Sequence, residues 1–147
     1  MKNLITKKEI KEKIEEIIQS RKEIVFAYIF GSFKEKENFN DIDLGVYLDE
    51  SIKEANNIFY EIELSNQIEE KIKIPVDIIK LNSASDPVAF IVTQGILIKN
   101  IDDNLRTNFV TASWKRYWDY QKLIQEYIRE IKSDSRYRKN HISNRRD

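Results

Sequence analysis

The chain has 147 residues, 41% apolar and 34% charged, which is enough for one domain around one core. Its 25 basic and 25 acidic side chains balance, excluding a disordered polyelectrolyte and a uniformly basic nucleic-acid coat. With no cysteine, disulfide scaffolds, thiolate zinc sites and cysteine nucleophiles are excluded. A single histidine, His141, argues against a Ser-His-Asp triad or a His-rich metal site, so any chemistry rests on carboxylates, hydroxyls, backbone amides and Lys or Arg.

Residues 1–11 are interrupted by charge too early for a secretory signal. The longest apolar run, Ile24–Phe30, is far short of the about 20 residues that span a bilayer, so a soluble cytoplasmic protein is expected. Thr6 and Glu9 form a capping box, and Ile10, Ile14, Ile17 and Ile18 follow at helical spacing. Ile24–Phe30, β-branched and aromatic, reads as a strand buried on both faces. Residues 41–48 alternate, with Ile42, Leu44, Val46 and Leu48 on one face and Asp41, Asp43, Gly45 and Tyr47 on the other.

A helix is expected over about 51–73, with Ile58, Phe59, Ile62, Ile68 and Ile72 inward, ended by Pro75. Residues 76–81 read as a third strand with Asp77, Ile79 and Leu81 on one face. Asp86-Pro87 starts a short helix that Gly95 ends, and Ile96 to Ile98 form a fourth strand. A long helix then runs over about 103–131, passing Leu105, Phe109, Ala112, Tyr120, Leu123, Tyr127 and Ile131. Residues 1–131 form one domain in this reading. The last 16 residues, 132–147, carry six basic and two acidic side chains and are expected as a basic, mobile tail.

Of the three glycines, Gly31 and Gly45 have no local explanation, and both point towards a site. Gly31-Ser32 directly follows a strand, where glycine admits a close ligand and the serine hydroxyl with adjacent amides can hold phosphate oxygens; a plain turn is the alternative. Asp41 and Asp43, two apart on a strand, share a face and repel unless a cation lies between them. Such hard oxygens suit Mg²⁺; a solvent-facing pair is the alternative. Asp77 stands among apolar neighbours in a strand, where aspartate is depleted. It is a candidate for a second metal position or for accepting a proton, against the alternative of an edge residue facing water.

This order of elements, carrying Gly31-Ser32, Asp41-Ile-Asp43 and Asp77, resembles the nucleotidyltransferase superfamily that includes DNA polymerase β. More closely, it resembles the minimal nucleotidyltransferases of the MntA antitoxin type, from Ile24 to Ile131 and including Tyr117-Trp-Asp-Tyr120. The chain departs from that pattern in a short loop, eight residues between Ser32 and Asp41, and in Lys34-Glu35-Lys36 where Arg-Gly is common.

The resemblance implies an α/β (α+β) fold, a mixed sheet flanked by helices with a long C-terminal helix. It also implies ATP as substrate, with its triphosphate against Gly31 and Ser32 and Lys34 or Lys36 in reach, and two Mg²⁺ ions on Asp41, Asp43 and Asp77. By the same resemblance these three aspartates are catalytic, Asp77 taking a proton from the attacking hydroxyl. The implied acceptor is a tyrosine of a cognate HEPN-type RNase toxin (HepT-like), silenced by AMP transfer, with no membrane partner and no direct nucleic-acid partner. A noncatalytic antitoxin that masks its toxin, a small-molecule nucleotidyltransferase and an RNA-end transferase are the competing readings. Trp114, Tyr117, Trp118 and Tyr120 are read as packing the long helix onto the sheet, with a docking surface as the alternative. Arg136 and His141 match the Arg-x4-His spacing of HEPN RNases, but without the helical bundle it needs, and are read as coincidence.

Overall fold

Thr6 opens the first helix, its hydroxyl accepting the Glu9 backbone N–H at 3.2 Å. In the computed structural model, which describes residues 6–35 and 37–144 and, for 135–144, the backbone only, that helix is α1 (Lys7–Ser20). The strands follow the expected order: β1 (Ile24–Phe30), β2 (Ile42–Leu48), β3 (Val76–Lys80) and β4 (Ile96–Asn100). They form one mixed sheet in the order β3-β2-β1-β4. β1 is antiparallel to both β2 and β4, and β2 is parallel to β3.

The alternation in β2 sorts the sheet into two faces. Ile42, Leu44, Val46 and Leu48 enter one core with Ile10, Ile14 and Ile18 of α1 and with Leu64, Ile68 and Ile72. The opposite face carries a second core of Phe26, Tyr28, Leu81, Ala89 and Val92, against which Tyr47, Leu105 and Phe109 pack. Gly45 belongs to this second face, and its expected role at a site is corrected. A Cβ there would overlap Val92 Cγ1, so the glycine lets the short helix α4 (Asp86–Val92) lie on the sheet.

A one-turn helix, α2 (Ser32–Glu35), follows β1. The helix α3 (Tyr60–Ile72) starts later than the periodicity predicts, after a 3-10 turn at Lys53–Asn56. Asn57 explains the delay: its side-chain oxygen accepts the Phe59 N–H at 3.0 Å, a local turn that competes with helix. The inward positions are therefore Tyr60, Leu64, Ile68 and Ile72. Ile58, Phe59 and Ile62, expected inside, are 81%, 55% and 59% exposed.

The last helix, α5 (Asp103–Asn144), runs past the expected end at Ile131, since no glycine or proline follows Gly95 to stop it. Its first turns pack on the sheet through Leu105 and Phe109. Trp114 and Tyr117 then pack on Phe90 of α4, with ring centroids 4.9 and 4.1 Å away, while Trp118 and Tyr120 remain more than half exposed. The aromatic cluster thus joins helix to helix rather than helix to sheet. The side chains of Arg136 and His141 lie outside the described residues. No helix among the described residues is long and apolar enough to cross a membrane.

Candidate active site

β1 delivers the chain to Gly31, which has a positive φ of 76°, a conformation that costs other residues about 1–2 kcal/mol. A Cβ at Gly31 would overlap Asp43 Oδ2, so the missing side chain is what lets this backbone stand against that carboxylate. The Gly31 carbonyl accepts the Lys34 and Glu35 N–H groups at 3.1 and 3.2 Å, closing α2. Phe33, buried in the first core, anchors that turn.

The strand register gathers the carboxylates. Asp43 on β2 stands opposite Phe30 on β1 and opposite Asp77 on β3. Direct partners in a parallel pair project to the same face, so Asp43 and Asp77 are neighbours, with Asp41 two residues ahead on the same side. Ser32 Oγ donates to Asp41 Oδ1 at 3.5 Å, which links the glycine-serine turn to the first aspartate.

Partial burial pushes the Asp43 carboxyl above its ordinary 3.8, and the negative charges of Asp41 and Asp77 push it the same way. Asp43 therefore stands within electrostatic reach of both other carboxylates. Asp77 lies on the edge strand and is exposed, the placement that was the alternative in the sequence.

Gly31, Ser32, Asp41, Asp43 and Asp77 thus meet at one end of the sheet. Lys34 stands beside them but is engaged elsewhere: its Nζ donates to the Gln94 carbonyl at 2.5 Å and lies 3.9 Å from Glu35. Lys36 lies outside the described residues. A cleft of about 330 Å³ adjoins the turn, and Gly31, Lys34, Glu35, Gln94 and Gly95 are among the residues that line it. In the sequence Gly95 reads only as the end of a helix. Its lack of a Cβ also admits the Ile29 carbonyl and so closes this cleft's wall. Gln94 and, beyond it, Lys7, which donates to the Phe33 carbonyl at 2.6 Å, carried no motif that would single them out.

The donors are all carboxylate oxygens, which suits a hard divalent cation such as Mg²⁺. Among the described residues no three acidic or imidazole side chains are gathered closely enough to hold an ion by themselves.

The sequence profile of the Polymerase beta, Nucleotidyltransferase family matches residues 12–104, more than half of the chain. No curated protein matches it significantly. Among solved structures, the chain is similar to one in a complex of tri-AMPylated Shewanella oneidensis HEPN toxin with MNT antitoxin, at 21% identity and a TM-score of 0.66, covering 86% of this chain and 98% of that one. It is similar to a chain of a toxin-antitoxin with AMP-PNP, at 22% identity and a TM-score of 0.66, covering 82% and 97%. It is also similar to a chain of the toxin-antitoxin MntA-HepT, at 21% identity and a TM-score of 0.62, covering 83% and 96%. At these identities the likeness establishes the fold.

Proposed function

Because this chain belongs to the Polymerase beta nucleotidyltransferase family, we propose that it is an antitoxin that transfers AMP from ATP to a tyrosine hydroxyl of a cognate HEPN-type toxin (HepT-like). The observation that carries the reading is the register of Asp43 on Asp77 beside a glycine turn that only a missing Cβ admits. Support for the partner comes from the folds it resembles, an MNT antitoxin complexed with an AMPylated HEPN toxin and a toxin-antitoxin with AMP-PNP. The reading places both partners in the cytoplasm.

In this reading the amides after Gly31 and the Ser32 hydroxyl hold the triphosphate. Lys34 reaches it by exchanging the Gln94 carbonyl for a phosphate oxygen, and Lys36 is the second cationic candidate of the loop. The tyrosine oxygen forms a bond to the α-phosphorus as the bond from that phosphorus to the β-bridging oxygen breaks. Pyrophosphate leaves with the electron pair, and Asp77 takes the hydroxyl proton and passes it to water. Asp41, Asp43 and Asp77 are the residues that would hold Mg²⁺, two ions in this reading, which neutralises charge on the transferring group and the leaving pyrophosphate.

The test is the intact mass of the toxin encoded beside this chain after incubation with it, ATP and Mg²⁺, at well under one equivalent. A gain of one or more AMP masses, lost with Asp41→Asn, is the expected result. A tight complex with an unchanged toxin mass would overturn the proposal in favour of masking. AMP transfer to a small hydroxylated molecule without any protein acceptor would overturn the choice of acceptor.

A further inference from the structure

The loop from Ser32 to Asp41 is short, and the helix it carries, α2, is a single turn of four residues. One turn cannot sustain itself, because helix nucleation costs more than a single hydrogen bond returns. Something outside the loop must hold it, and α1 supplies a side chain that reaches it. Lys7 Nζ donates to the Phe33 carbonyl at 2.6 Å, a group that a one-turn helix leaves without an internal donor. The same ammonium stands 5.2 Å from the centroid of the Phe33 ring and 5.6 Å from that of Phe39. The two rings meet edge to face with centroids 4.8 Å apart.

Phe33 directly follows Ser32, and Phe39 stands two residues before Asp41. Lys7 therefore grips the loop at both of its ends, next to the two residues whose side chains meet across the site. At the first position of α1 a cation opposes the helix dipole.

We infer that Lys7 is a positioning residue that sets the Gly31-Ser32 turn against Asp41 by clamping Phe33 and Phe39, without touching the substrate itself. The inference rests on the nucleotidyltransferase reading for what the loop does, though not for whether Lys7 holds it. Lys7→Met keeps the stem and removes the donor and the charge, whereas Lys7→Arg keeps both.

The experiment uses the full chain and two readouts. Hydrogen exchange without nucleotide should show Lys7→Met losing amide protection over residues 32–41 while the sheet keeps its own, with Lys7→Arg close to the parent chain. Calorimetric titration with ATP and Mg²⁺ should show Lys7→Met binding about tenfold more weakly, equivalent to about 1.4 kcal/mol. Unchanged protection over 32–41 would overturn the inference, as would protection lost evenly across the fold, which would make Lys7 a general stabiliser. Unchanged ATP affinity in Lys7→Met would overturn its bearing on the site. If the parent chain takes up no ATP, the functional reading fails, while the exchange result still decides the role of Lys7.

Discussion

Gly31 and Gly45 look alike in sequence, each a glycine at or next to a strand, and the structure gives them different work. At Gly31 an added methyl meets Asp43 Oδ2 on a backbone whose φ is 76°; at Gly45 it meets Val92 Cγ1. Gly31→Ala should displace the carboxylate that the turn faces and lower the rate of the proposed AMP transfer by about 100-fold or more, as a displacement of about 1 Å in a reacting site does. Gly45→Ala should push α4 off the sheet and destabilise the chain by about 1–3 kcal/mol, the ordinary cost of overpacking. Transfer per folded molecule should then stay within about threefold of the parent, since the loss is one of packing. Urea melts and rates corrected for folded fraction separate the two effects. Equal loss of transfer in both variants would mean that Gly45 also shapes the site.

At the scale of elements, what can be read from sequence is what periodicity controls. β1 and β2 declare themselves by apolar run and by alternation, and α1 by its cap and isoleucine spacing. The start of α3 does not, because the Asn57 turn competes with helix through a side-chain hydrogen bond that no apolar period records. Asp41, Asp43 and Asp77 stand out as chemistry, but their convergence depends on the parallel register of β2 on β3, a long-range pairing. Lys7 and Lys99 are invisible for a similar reason: each caps a carbonyl far along the chain.

Lys99, in β4, is only 5% exposed. Its Nζ donates to the Ile18 and Arg21 carbonyls at 3.2 and 2.7 Å, at the C-terminal end of α1, where no glycine cap is present. Burial lowers its ammonium from the ordinary 10.5, while the charge of Glu23 works in the opposite direction. Lys99→Met fills the same space and leaves both carbonyls without this donor, so it should destabilise the chain by about 1–3 kcal/mol. Equilibrium urea unfolding measures this, and an unchanged midpoint would show that water replaces the ammonium without loss.

For the whole molecule, helices cover both faces of the sheet, and the carboxylates stand together at one end of it. Folding itself brings them together, so the folded chain carries a charge repulsion that the unfolded chain does not. Asp43 registers it, its carboxyl held above 3.8 by partial burial and by Asp41 and Asp77. The folded state therefore holds this proton more tightly than the unfolded state. The penalty of ionised Asp43 is complete above the raised value and fades as pH falls through it towards 3.8. In a cation-free buffer at neutral pH, Asp43→Asn should melt slightly higher than the parent chain, by about 1–3 °C for a half-buried carboxylate screened by water. That advantage should shrink as the pH is lowered towards 4. Adding Mg²⁺ with ATP should reverse the order, since a ligand that binds only the folded state raises stability with its saturation. The parent chain should then gain several degrees and Asp43→Asn little. Equal gains in the two proteins would separate nucleotide binding from Asp43, and the three carboxylates would no longer account for the site.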